Sequence, residues 1–201
     1  MKRILILFTH PKFEKSRTNQ ALVEGVKNME GVTFHDLYER YPDYYIDVAH
    51  EQKLLEEHDV IIWHHPFYWY SCPPLLKQWI DVVLEFGWAY GSEGNALQGK
   101  QCLQVITTGG SEKVYCADGK NMYSINEFLR PFEQTARLCG MKYEAPFAVM
   151  GTHQLTDDDL HQHALQYRTI IDSLLQGLAL QKIESCVFQN DIPELKNQDA
   201  L

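Results

Sequence analysis

Three short runs are apolar along most of their length: Arg3 to Phe8 (RILILF), Val60 to His64 (VIIWH) and Gln101 to Thr107 (QCLQVIT). A strand with one wet face alternates apolar and polar residues. A run without alternation needs cover on both faces, which is the condition of a strand inside a parallel sheet flanked by helices. RILILF follows a basic Met1-Lys2 start and so resembles a secretory leader, but it is too short and lacks a small-residue cleavage site. It reads as a first strand.

Between these runs the pattern turns helical. A polar segment, Ser16 to Asn19, opens a helix whose apolar face is Ala21, Leu22 and Val26, and Gly31 ends it. Val32 to Asp36 is a second strand. Leu37 to Ala49, rich in Tyr, Pro and Asp, is a surface excursion before a short helix, His50 to Glu57. Val60 to His64 is the third strand and Pro74 to Glu85 the next helix. Gln101 to Thr107 is the fourth strand, Ser111 to Tyr123 a loop, and Ser124 to Cys139 a helix that Pro131 kinks or breaks. Tyr143 to Met150 reads as the fifth strand. Thr156, followed by Asp157 to Asp159, starts a last helix that runs to about Leu180. Strands and helices thus alternate five times. The expected fold is an α/β doubly wound domain over residues 1–180, a five-stranded parallel sheet with helices on both faces, followed by a polar tail, 181–201. In such sheets ligands bind beyond the carboxyl ends of the strands, where the strand order reverses. The unusual segments here follow strands one, three and four, so all three loops emerge on one edge.

Composition narrows the partners. The net charge of the 201 residues is −9, which excludes a general nucleic-acid binder, because phosphate backbones require clustered Lys and Arg. No stretch approaches the roughly 20 apolar residues of a membrane span. Five cysteines without a C-x-x-C spacing point to a reduced, cytoplasmic protein.

Val60 to Gly91 carries the densest information. Four aromatics in succession, Phe67, Tyr68, Trp69 and Tyr70, cannot all enter one core. On a loop leaving a buried strand they would offer flat rings and free amides to a planar heteroaromatic ligand, or they would form a patch that closes the sheet or a subunit interface. Pro73 and Pro74 mark the start of a helix whose apolar face is Leu75, Leu76, Trp79, Ile80, Val83 and Leu84. Trp88 and Tyr90 follow, held between Gly87 and Gly91. Elsewhere, His10 with Ser16, Arg17, Thr18 and Asn19 could hold a phosphate at a helix N-terminus, or Ser16 or Thr18 could simply cap the helix. Thr107-Thr108-Gly109-Gly110 is a backbone donor site or an ordinary strand-ending turn. No G-x-G-x-x-G, P-loop lysine or Ser-His-Asp ordering is present. His161 and His163, two apart, do not share a helix face, so no metal site is expected there.

The run HPFYWYSCPPLLKQWIDVVLEFGWAYG resembles the signature of the flavodoxin-like NAD(P)H:quinone oxidoreductase family, and within it the Kef-type ancillary proteins of glutathione-gated potassium efflux. The similarity spans Ile4 to Leu175. It implies a flavin cofactor, FMN in preference to FAD, with NAD(P)H as co-substrate. It implies that His10 and Ser16 to Asn19 hold the flavin phosphate, and that Phe67 to Tyr70 and Thr107 to Gly110 hold the ring. Tyr115 matches a tyrosine that stabilises charge on the flavin. Asn121 stands where the family carries a histidine, which predicts slower or differently pH-dependent chemistry. Trp88 and Tyr90 match aromatics that cap the acceptor pocket, often that of a neighbouring subunit, so a homodimer is expected. Two functions follow from the resemblance. One is a two-electron, ping-pong reductase of quinones or similar flat acceptors. The other is a regulatory subunit at the inner membrane face that activates a potassium efflux transporter. A one-electron shuttle is disfavoured, because it needs no substrate pocket.

Overall fold

The computed structural model describes residues 1–178 and Phe188. The expected tail, 181–201, lies outside the described residues apart from Phe188. The elements in chain order are β1 (Ile4–Phe8), α1 (Arg17–Glu24), β2 (Val32–Asp36), α2 (Leu37–Arg40), α3 (Val48–Glu57), β3 (Val60–Pro66), α4 (Pro74–Val83), β4 (Gln101–Thr108), α5 (Ile125–Leu138), β5 (Lys142–Tyr143), β6 (Phe147–Met150) and α6 (Asp157–Leu175). Every strand pairing is parallel, in the order β2-β1-β3-β4-β5, with β6 also paired to β4. The sheet is the doubly wound, five-position parallel sheet expected from the apolar runs.

The two faces of each strand feed two cores. Leu5, Leu7, Ile61 and Trp63 pack under α3, α4 and α5 with Leu55, Leu75, Trp79 and Leu129. Ile4, Ile6, Phe8, Val60 and Ile62 pack under α1 and α6 with Leu22, Tyr167 and Ile171. This is why β1, β3 and β4 are buried at every position.

Several boundaries differ from the sequence reading, each for a local reason. α1 stops at Glu24, not near Gly31, because Gly25 closes it and Arg168 Nη1 donates to the Gly25 carbonyl. The fifth strand is split into β5 and β6, since Pro146 lacks the N–H that would continue the ladder on β4. β3 runs past His64 to Pro66, which pairs with Thr107. Pro66 therefore ends the strand without interrupting it. Pro131 sits inside α5 without breaking it, and a capping box of Ser124 and Glu127 opens that helix. The last helix ends at Leu175.

The excursion from Leu37 to Ala49 contains α2 and is anchored, not loose. Glu51, fully buried, accepts from His35 Nε2 (2.8 Å), the Tyr41 hydroxyl (2.6 Å) and Trp79 Nε1 (2.8 Å). Burial pushes the Glu51 carboxyl up, but the three donors and the His35 charge outweigh it, and the net shift is downward. Three elements are thereby tied to one carboxylate.

Candidate cofactor site

The parallel register brings the loops after β1, β3, β4 and β6 to one edge, beyond the carboxyl ends of the strands. The order reverses between β1 and β3 there, and a crevice is required where helices leave on opposite faces. A cavity of about 390 Å³ occupies the place. His10, Ser16 to Asn19, Phe67, Tyr68 and Thr107 to Gly109 all line it. A larger groove, about 840 Å³, runs between α1 and α6. Its Arg17 is engaged with Asp157 at 2.5 Å and its walls include Ala21, Leu160, Ala164 and Leu165, so convergent polar chemistry belongs to the smaller cavity.

One end of that cavity is built from donors. Ser16 caps α1, its Oγ accepting the Asn19 amide N–H at 3.3 Å, and the first amides of the helix lack intrahelical partners. The positive end of the helix dipole lies at the same point. His10 Nδ1 accepts the Lys12 amide N–H at 3.1 Å. Because Nδ1 accepts, the ring's proton lies on Nε2, and burial holds the imidazole below its usual range although Glu14 pulls it up. Lys12 and Lys15, which the sequence reading did not single out, line the same end. Arg17 also lines it, but its guanidinium pairs with Asp157.

The aromatic run divides its rings. Phe67 is buried in the α5-side core, against Tyr115 and Phe128, and its backbone N–H donates to the Thr107 carbonyl at 2.8 Å. Tyr68 lies beside His10, ring centroids 6.1 Å apart. Trp69 is 93% exposed, and Tyr70 stacks on Phe128 at 5.1 Å. Trp69 and Tyr70 both hold left-handed backbone, φ 48° and 64°, a conformation costly for aromatic residues and tolerated mainly at functional turns.

At the other end, Thr107 and Thr108 close β4, and Gly110 N–H donates to Thr108 Oγ1 at 3.3 Å. The Tyr115 hydroxyl is 3.1 Å from Thr108 Oγ1, and its ring lies so close to Gly110 that a Cβ there would meet Tyr115 Cε2 at 2.7 Å. Asn121 is 3.5 Å from the Tyr70 hydroxyl through Oδ1. Thr152 and His153, from the loop after β6, complete the lining, and the sequence reading missed both. A Cβ on Gly109 would meet His153 Nε2 at 2.7 Å. Only the pairing of β6 with β4 brings that loop here.

Trp88 and Tyr90 are not part of this cavity. α4 leaves the site edge and runs back along the sheet, so both residues lie at the opposite edge. There Trp88 Nε1 donates to Glu56 at 3.1 Å and Tyr90 packs on Phe86. Within one chain they cannot cap the pocket. His64 and His65 are fully buried within β3. Cys72 is half-buried, and burial pushes its thiol above the ordinary range. Among the described residues one group could place three metal-ligating atoms together, His35, His50 and Glu51, within 4.8 Å. Its carboxylate is already engaged by three donors.

Residues 2–171 match the flavodoxin-like fold family, and the chain belongs to it. Within that family it is a Kef-type, quinone-reductase-like member. It is 47% identical over 173 residues to the glutathione-regulated potassium-efflux system ancillary protein KefG of Pectobacterium atrosepticum, covering 86% of this chain and 94% of that one. The crystal structure of general stress protein 14 from Treponema denticola, in complex with FMN, superposes with a TM-score of 0.82 at 41% identity over 86% of this chain and 99% of that one. An NADPH-quinone reductase from P. pentosaceus gives a TM-score of 0.77 at 33% identity over 84% and 96%.

Proposed function

We propose that the chain is an FMN-dependent NAD(P)H:quinone oxidoreductase. The observation that carries the reading is the polarity of the cavity. Its β1 end presents the α1 N-terminus, His10 Nε2–H, Lys12 and Lys15 in a chain of net charge −9. Such a set suits a phosphate dianion. Its β3 and β4 end presents Tyr68 and the Thr107-Thr108-Gly109 turn, whose side chains are small enough to leave room for a flat ring. The bound FMN of a 41%-identical structure supports the same choice over FAD.

The chemistry FMN supplies when bound is two-electron transfer, hydride from NAD(P)H in and two electrons to a quinone-type acceptor out, in a ping-pong scheme. The chain's own contributions are separate. His10 and Ser16 to Asn19 bind and orient the phosphate, with Arg17 held back by Asp157. Phe67 to Tyr70 and Thr107 to Gly110 bound the ring. Tyr115, positioned by Thr108, donates toward developing negative charge. Asn121 accepts from the Tyr70 hydroxyl through Oδ1 and has an amide N–H to donate, but it cannot take up a proton at neutral pH. Trp88 and Tyr90 reach an acceptor pocket only by crossing to a second copy, so the complete site is a homodimer's.

The 47% identity to KefG supports a second role, docking on a potassium efflux transporter at the inner face of the membrane. No helix among the described residues is long and apolar enough to cross a membrane itself.

Adding FMN to the purified protein, removing the excess and recording the absorbance tests the cofactor. Anaerobic NADPH, or NADH, should then bleach the flavin bands and a quinone should restore them. Retained bands that neither nucleotide bleaches would leave a flavin-dependent regulator. Absence of retained FMN would sink the cofactor assignment.

A further inference from the structure

Beneath the donor end of the cavity lies a buried hydrogen-bond chain that starts outside it. His64 Nε2 is 3.0 Å from Asn19 Oδ1. Asn19 Nδ2 is 2.8 Å from Ser16 Oγ and 3.0 Å from Thr107 Oγ1. Ser16, Asn19 and Thr107 line the cavity, and His64 does not. The chain has one consistent direction. The two hydrogens of the Asn19 amide nitrogen go to the two hydroxyl oxygens, so its carbonyl oxygen faces His64 and must accept. His64 therefore carries its proton on Nε2 and donates. Ser16 Oγ accepts from the Asn19 side chain and from the Asn19 amide, which uses both lone pairs and leaves only its own O–H. Thr107 Oγ1 accepts as well, which frees its O–H.

We infer that His64 is a positioning residue that sets the polarity of this chain, turning the Ser16 hydroxyl into a donor toward an acceptor-only phosphate ligand. The inference rests on the FMN reading and deepens it.

The arrangement has a cost that packing does not explain. His64 Nδ1 is buried without a partner, among Phe8 and Tyr167 rings at 5.0 and 5.5 Å. An apolar residue would fill that place without an orphaned nitrogen. Without His64, nothing holds the Asn19 carbonyl oxygen. The amide can turn over, and the Ser16 hydroxyl can then spend its proton on Asn19 in place of the phosphate.

The test measures dissociation constants for FMN and for riboflavin, which lacks the phosphate, on the full chain. In His64→Leu, FMN should weaken about tenfold, the loss of an oriented hydrogen bond to a charged group. Riboflavin should stay within about twofold and the melting temperature should not fall by more than about 4 °C. His64→Gln keeps a donor and should recover most of the FMN affinity. His64→Phe is a second donor-free variant should the leucine variant not be recovered. In the flavin-free protein, long-range proton–nitrogen NMR should show His64 protonated on Nε2. A leucine variant that binds FMN as wild type does, or that loses FMN and riboflavin equally, would overturn the role of His64, as would an Nδ1–H tautomer. Wild-type protein that binds no FMN would overturn the cofactor reading, and the phosphate role with it.

Discussion

Mild acid should destabilise this protein through its buried histidines. His64 and His65 have no exposure in β3. Burial holds His64 down to about 3, with smaller contributions from His65 and His10, and burial holds His65 down to about 4 against the pull of the Pro66 carbonyl. In the unfolded chain both return to the ordinary value of 6.5. Below that value the unfolded state binds protons that the native state refuses, so stability is full above it and drains as pH falls toward the folded values. At about pH 5 each group costs about 2 kcal/mol and the pair about 4. That is a large part of the roughly 5–15 kcal/mol that holds a domain together. His10, His58 and His163 are also held down by burial and act in the same direction. Urea unfolding followed by tryptophan fluorescence, at about pH 7.5 and about pH 5, measures the difference. His65→Met should lower stability at neutral pH, because Gln104 loses its partner, yet flatten the pH slope by about 1.4 kcal/mol per pH unit. Unfolding free energies that agree within about 1 kcal/mol at the two pH values would refute the reasoning.

Glu51→Gln places an amide nitrogen against one of three donors from His35, Tyr41 and Trp79. It should cost about 3 kcal/mol in urea unfolding with little change in FMN affinity. Gly110→Ala drives a Cβ into the Tyr115 ring, which Phe67 and Phe128 prevent from moving aside. Stopped-flow reduction by NADPH should slow about tenfold while FMN is retained. Tyr115→Phe removes the hydroxyl beside Thr108 and should slow the same step by a similar factor, visible as a lower kcat at unchanged FMN content. Trp88→Ala should lower activity through the acceptor half-reaction only if a second copy supplies that residue, and sedimentation at the same concentrations would show the dimer.

Sequence alone determined the layered architecture, because it is written in local hydrophobicity. RILILF, VIIW and QCLQVIT admit no wet face, so they had to become the covered strands β1, β3 and β4. The clustering of unusual residues after those strands was equally legible, since parallel strands send their exits to one edge. Tertiary structure decided what depends on distance across the chain. Phe67 and Trp69 are neighbours of the same chemical type, yet one ring is buried on Phe128 and the other is in water. Nothing in Thr152-His153 marks a cavity wall until β6 pairs with β4. Trp88 and Tyr90 follow the signature run directly, but the reversal of α4 carries them to the far edge of the sheet. His64 reads as a strand residue until the register sets it beside Phe8 and over α1, where a side chain 45 positions away in sequence, Asn19, turns it into the origin of the donor chain. Periodicity reports which face is buried; only packing reports which polar atoms meet.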